Sequence, residues 1–244
     1  EMEKKGYRYS FDMLGEMAVT GEDAHRYFTS YKTAIEALAH RRTSWNQNNK
    51  PSISVKLSAL HPRYEALHYP SIRSDLLSKM KVLAQMCHAH DIHMTIDAEE
   101  ADLLTSSLDI FETLFQEKEL LEWNGLGLAV QAYQKRAVVL LDELIHLARV
   151  HHKKIPIRLV KGAYWDSEIK RAQVKGLNDY PVYTRKAHTD LSYLICAKKL
   201  LANRDVIFPE FATHNAYTVA SILTLAGEDR SNFEFQRLHG MGYS

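Results

Sequence analysis

Seven side chains able to do chemistry stand at or near the ends of short hydrophobic runs: Lys56, Asp97, Gln131, Arg158, Lys161, His214 and His239. Isolated buried charges are costly, so cations and a carboxylate in such places must pair with one another or bind a ligand. The stretch "IRLVKGAYWDSEIKRA", residues 157–172, is the densest part of the set. It puts Arg158, Lys161, Gly162, Tyr164 and Trp165 beside an amphipathic charged run. Packing alone does not ask for that mixture.

Structural readings compete at each position. Lys56 and Asp97 could form a plain ion pair, and Arg158 could be an interior structural charge. His214 and His239 could be hydrogen-bonding residues, Gly162 a turn glycine, and Tyr164 and Trp165 packing aromatics. "DSEIKRA" (166–172) reads as a solvated helix face whose charges need no function. "CHAHDIH" (87–93) and "VHHKK" (150–154) read as helix ends, where cations suit the helix dipole. The functional reading rests on coincidence of place.

That place follows from the elements. Strands are expected at 9–16, 52–60, 93–100, 126–133, 155–162, 206–214 and 233–240. Apolar residues at three- and four-residue spacing predict helices over 23–42, 74–90, 138–152 and 189–204. Alternating strands and helices imply βαβ units and a parallel sheet. The irregular stretch 173–186 carries Gly, Asn, Asp and Pro turn signals, and loops of that length are usually functional or disordered. No G-x-G-x-x-G follows the first strand, which argues against a Rossmann fold. The expected architecture is α/β: a (β/α)8 barrel, one domain over residues 1–244, lacking its last strand and helix because the chain stops at "HGMGYS". In a barrel the outward face of each strand packs on helices, so the apolar face is expected outward and the polar face inward, and catalysis sits at the C-terminal strand ends. Strand two then points Ser54, Lys56 and Ser58 inward against Ile53, Val55 and Leu57. Strand three points Thr95, Asp97 and Glu99 inward against Ile96 and Ala98.

Composition narrows the function classes. The 244 residues are 45% hydrophobic, enough for one sizeable core. The 31 Lys and Arg balance 30 Asp and Glu, leaving a net charge of +1, so nothing calls for nucleic acid. Cys87 and Cys196 show neither metal spacing nor a disulfide framework, and a reducing cytosol is the default. No apolar run reaches the roughly 18 residues of a spanning helix. No signal peptide is visible, and the first residue is not Met, so a longer parent polypeptide is expected.

Seven blocks carry a resemblance. "SVKLSALHPRYE" (54–65), "IDAEE" (96–100), "QAYQKR" (131–136), "IRLVKGAYWDSEIKRAQ" (157–173), "YPVYTRK" (180–186), "FATHNAYT" (211–218) and "FQRLHGMG" (235–242) stand in family order. They resemble the flavin-dependent proline dehydrogenase domain of bifunctional bacterial proline utilization A proteins, and together they cover nearly the whole chain. The resemblance implies a distorted (β/α)8 barrel that binds FAD. It implies oxidation of L-proline to Δ1-pyrroline-5-carboxylate by hydride transfer to flavin N5, the first step of proline catabolism. It implies that Asp97 and Lys56 lie beside the substrate, that Tyr164 is an aromatic at the substrate end, and that Arg158 meets flavin N5. Ala98, Gln131, Val160, Lys161, Gly162, Ala163, Trp165, Thr184, Lys186, Thr213, His214 and Asn215 match positions that touch the flavin or its phosphates. A quinone at the membrane surface is the implied electron acceptor, and the implied location is cytoplasmic and peripheral at the inner membrane. The arginine pair and the tyrosine on the family's last helix lie beyond this chain, as do DNA-binding and aldehyde dehydrogenase portions.

The chemistry implied is coherent. A hydride leaves the carbon beside an amine only when the nitrogen has lost its proton. A carboxylate and a lysine beside it set the field that governs that ionisation. A guanidinium stabilises developing negative charge without losing its own. Two alternatives remain open here. One is a metal-dependent barrel hydrolase using Asp97, His214, His239 and Lys161, although the first strand offers no His-x-His. The other is a non-catalytic flavin-binding remnant.

Overall fold

The structure, a computed structural model, describes residues 6–13, 17–41 and 50–241. It divides into two compact units, residues 1–98 with 102–128, and residues 99–101 with 129–244.

In the first unit, β1 (Ser10–Phe11), β2 (Ser52–Val55), β3 (His93–Ile96) and the first half of β4 (Leu126–Gln131) are parallel neighbours in chain order. Helices α1 (Gly21–His40), α2 (Tyr69–Ala89) and α3 (Leu104–Phe115) lie between them in sequence. α1 starts at a capping box in which Thr20 and Asp23 satisfy each other's end of the first turn. Its buried residues Ala24, Tyr31, Ile35 and Leu38 recur at helical spacing. Ile72, Leu76, Met80, Leu83 and Cys87 do the same on α2. Each large apolar side chain removed from water in this way contributes roughly 1.5–3 kcal/mol.

The second unit continues with the end of β4, α4 (Ala137–Val150), β5 (Ile155–Val160), α5 (Trp165–Val174), α6 (Lys186–Leu201), β6 (Ile207–Ala212), α7 (Ala216–Ala226) and β7 (Glu234–Gln236). The end of β4 passes to β5 through the bond from the Ala132 amide to the Val160 carbonyl, 2.8 Å. β5, β6 and β7 are parallel, with Arg158 opposite Glu210 and Glu210 opposite Glu234. Tyr193 of α6 is fully buried, and its hydroxyl lies 3.2 Å from the Leu159 carbonyl and 3.3 Å from that of Ala212.

Every expected strand is present, but several end early. β2 stops at Val55 because Leu57–Ala59 coils into a 3-10 turn, and β3 stops at Ile96. Of the run 9–16, only Ser10 and Phe11 pair, and residues 14–16 fall outside the described set. The expected irregular stretch 173–186 is a connection from α5 to α6. It is pinned by an antiparallel bridge between Gln134 and Val182 and by the bond from the Tyr183 amide to the Tyr133 carbonyl, 2.8 Å. α3 and α7 were not expected.

Candidate functional site

In the first unit, Val55 pairs with Ile96, so the next residues, Lys56 and Asp97, emerge side by side at the C-terminal strand ends. The Asp97 amide donates to the Val55 carbonyl at 2.9 Å, which keeps the two chains together for one more residue. Lys56 Nζ stands 3.7 Å from Asp97 Oδ2 and 3.3 Å from Asp12 Oδ1. The Lys56 and Asp97 side chains are 20% and 13% exposed: screened from bulk water, yet reachable. The ion pair that the structural reading expected is therefore formed. Asp12, two residues from Ser10 of β1, completes the cluster and was not singled out from the sequence. Ala98, directly after Asp97, is half-buried.

The second unit gathers a longer set on the C-terminal ends of β4, β5, β6 and β7. Arg158 Nε donates to Gln236 Oε1 at 2.8 Å and lies 3.9 Å from Glu210 Oε2, with both members of that pair largely buried. Gln236 Nε2 in turn donates to Glu234 Oε1 at 2.9 Å, so the guanidinium is oriented across three neighbouring strands. Val160 is half-buried at the end of the same strand. Gln131 uses both ends of its amide: Nε2 donates to the Glu99 carbonyl at 2.7 Å, and Oε1 accepts the Ala163 amide at 3.1 Å. It fixes the turn after β5 from inside.

That turn also depends on Gly162, whose φ of +143° favours glycine and whose α-carbon abuts the Tyr133 ring. Tyr164 is half-buried beyond it. Trp165 is 42% exposed, with its indole N–H on the Tyr183 carbonyl at 2.9 Å.

Asp190 of α6 holds two ammonium groups, Lys161 through Oδ1 and Lys186 through Oδ2. Those two bonds hold its carboxyl below the usual carboxylate range. Thr184 is exposed just before that helix. At the end of β6, the Thr213 hydroxyl accepts the Asn215 amide at 3.1 Å, and Asn215 Oδ1 caps α7 through the Thr218 amide at 3.0 Å. His214 Nε2 accepts the Leu238 amide at 3.2 Å, as a hydrogen-bonding histidine would. His239 is exposed.

One reading from the sequence is corrected. Residues 166–172 do lie on a helix, but not all its charges are solvated. Glu168 is 3% exposed and accepts the Ala101 amide at 2.6 Å, and Arg171 donates to Glu100 at 3.0 Å. Asp190, Gln236 and Glu210 were also missed. The spacing of Lys186 and Asp190 on one helix turn was the available signal for the first. The polar alternation of Glu234 and Gln236 was the signal for the second.

Two ammonium groups, a Cβ-free turn, an exposed indole and the hydroxyl and amide donors of Thr184, Thr213 and Asn215 share the C-terminal side of the second unit's strands. This donor set fits a molecule with an anionic diphosphate and a flat ring, as FAD is. Among the described residues, no group of three or more His, Cys, Asp or Glu side chains could hold a metal ion.

The family model described as proline dehydrogenase matches residues 1–244. "Bifunctional protein PutA" of Salmonella typhimurium is 53% identical over 99% of this chain, which spans 18% of that protein. "Proline dehydrogenase 1" of Bacillus subtilis is 27% identical over 98% of this chain and 68% of its own. Among solved structures, a mutant of Bradyrhizobium japonicum proline utilization A superposes with a TM-score of 0.93 at 56% identity, covering 97% of this chain and 24% of that one. The protein of that name from Bdellovibrio bacteriovorus, inactivated by N-propargylglycine, also gives 0.93, at 28% identity, over 99% of this chain and 27% of that one. These matches bear out the α/β barrel class, with seven parallel strands among the described residues.

Proposed function

The chain belongs to the proline dehydrogenase family, and from that premise we propose that it carries out the FAD-dependent oxidation of L-proline to Δ1-pyrroline-5-carboxylate. Residues 1–244 would act as one catalytic domain of a larger bifunctional polypeptide, as the small share of the bifunctional relatives that it spans suggests. The observation that carries this reading is the family match across all 244 residues.

Each cluster has a role in it. Lys56 opposes a second positive charge at the substrate nitrogen, and the Asp97 carboxylate beside it can take that nitrogen's proton, so that together they favour the amine that has lost it. Tyr164 offers an aromatic wall to the substrate. When bound, the flavin supplies the hydride acceptor. Arg158, held by Gln236 and Glu210, presents a permanent positive charge to the N5 region. Lys161 and Lys186 meet the pyrophosphate, with Thr184, Thr213, His214 and Asn215 as further contacts. Gly162 and Ala163 bring backbone close to the cofactor, while Ala98, Gln131, Val160 and Trp165 complete its surroundings. A quinone at the membrane surface is the acceptor proposed for the electrons, and a cytoplasmic protein docking peripherally would meet it there. Among the described residues, no helix is long and apolar enough to cross a membrane.

The decisive experiment is optical. The purified parent protein should be yellow, and anaerobic L-proline should bleach its visible absorbance. A protein that stays colourless after incubation with FAD would overturn the reading. One that is yellow but unmoved by proline would favour a flavin-binding module without turnover.

A further inference from the structure

The three residues that begin two positions after Asp97 are held by four side chains. Gln131 Nε2 donates to the Glu99 carbonyl at 2.7 Å, and Arg171 Nη2 to the Glu100 carboxylate at 3.0 Å. Glu168 Oε1 accepts the Ala101 amide at 2.6 Å, and Arg136 Nη2 donates to the Ala101 carbonyl. Both backbone groups of Ala101 are therefore engaged, the carbonyl by a guanidinium and the amide by a carboxyl oxygen. Gln131 also holds the Ala163 amide, so one side chain ties the Glu99 carbonyl to the turn after β5.

Glu168 is the unusual member. It sits in the first turn of α5 yet is 3% exposed. Removing a carboxylate from water carries a penalty of several kcal/mol, and a helix face could have been filled with an apolar residue at no such penalty. Its charge reaches further than Ala101: the Tyr133 phenol is pushed up first by burial and then by Glu168. The Glu168 carboxylate holds the Ala101 amide from inside the fold and so fixes its place.

We propose that Glu168 is a positioning residue: with Arg136, Gln131 and Arg171 it fixes the Glu99–Ala101 segment, the stretch of chain that follows Asp97 and Ala98. This rests on the function proposed above, since Asp97 needs a fixed place only if it acts on a substrate. Small misplacements of reacting groups cost rate far more than binding.

The test uses the full-length parent protein and its Glu168→Ala and Glu168→Gln variants. Backbone amide exchange across residues 97–103, flavin content, kcat and KM for proline are measured on each. Glu168→Ala is expected to speed exchange in this segment at least about tenfold and to lower kcat about tenfold. Flavin content and KM should stay within about twofold, because the variant leaves the binding groups in place. Glu168→Gln, which keeps an acceptor of the same shape without the charge, should fall between. Unchanged exchange in Glu168→Ala overturns the clamp, and faster exchange with unchanged kcat overturns its role in the reaction. If Glu168→Ala does not fold, Arg136→Gln removes the bond on the other side of Ala101 and is read by the same outcomes. A wild-type protein that does not oxidise proline would sink the functional reading by itself, and the exchange measurement would still decide whether the clamp holds.

Discussion

The α-carbon of Gly162 rests against the ring of Tyr133 so closely that a Cβ at position 162 would lie within 2.5 Å of three ring atoms. The ring has nowhere to go. Tyr133 is buried, its amide donates to the Lys161 carbonyl at 2.7 Å, and its carbonyl accepts the Tyr183 amide at 2.8 Å.

Gly162→Ala should therefore destabilise the protein by about 3 kcal/mol or more, combining overpacking with backbone strain at a positive φ. Chemical denaturation measures it. A midpoint within error of wild type would show that the turn relaxes and that the close approach is not a constraint.

Asp97→Ala should lower turnover at least about a hundredfold while leaving flavin content near wild type, because its proposed action is on the substrate nitrogen. Lys56→Met, which removes the partner at 3.7 Å, should lower turnover in the same sense. Steady-state kinetics alongside flavin absorbance separates the two effects, and loss of flavin in step with activity would move Asp97 from the substrate to the cofactor.

Arg158→Met should lower the flavin reduction potential by on the order of 30 mV, the equivalent of about 1.4 kcal/mol for a two-electron couple. Equilibrium redox titration reads this directly. An unchanged potential would take Arg158 out of its proposed place at N5 and leave it as the partner of Gln236 and Glu210.

Acid should destabilise the first unit through His93. Burial, helped by Lys50 and Arg8, pushes this imidazole down to about 4 from its ordinary value near 6.5. The unfolded chain then binds the proton more readily than the folded one between those pH values. The stabilisation is complete above about pH 6.5 and is lost as pH falls toward 4, for a total of roughly 3 kcal/mol. Denaturation curves at pH 7, 5.5 and 4 should show this loss in wild type and a smaller one in His93→Gln. Parallel curves would place the acid sensitivity elsewhere.

The strands were legible because parallel strands buried on both faces read as compact apolar runs. Their ends were not: the polar alternation of Lys56 and Ser58 continues smoothly into a segment that coils. α7 escaped notice because "AYTVASILTLA" is apolar nearly all round and rich in β-branched residues, leaving no stripe to count. In the site, Lys56 and Asp97 were paired in advance by alternation alone, since their strands are neighbours. Arg158 and Gln236 are 78 residues apart, and no local pattern links them. Glu168 was misread because a helical charge is solvated by default, and only the fold shows what covers it.

The carboxylate of Asp190 gives Lys161 and Lys186 a resident counterion. An arriving anion gains only what it offers beyond that occupant, so weak monoanions such as chloride gain little. A diphosphate, with more charge and more oxygens, can still engage the pair. At the proposed pyrophosphate contact, discrimination among anions would thus be set by a threshold the protein carries in its own sequence, rather than by the number of its cations.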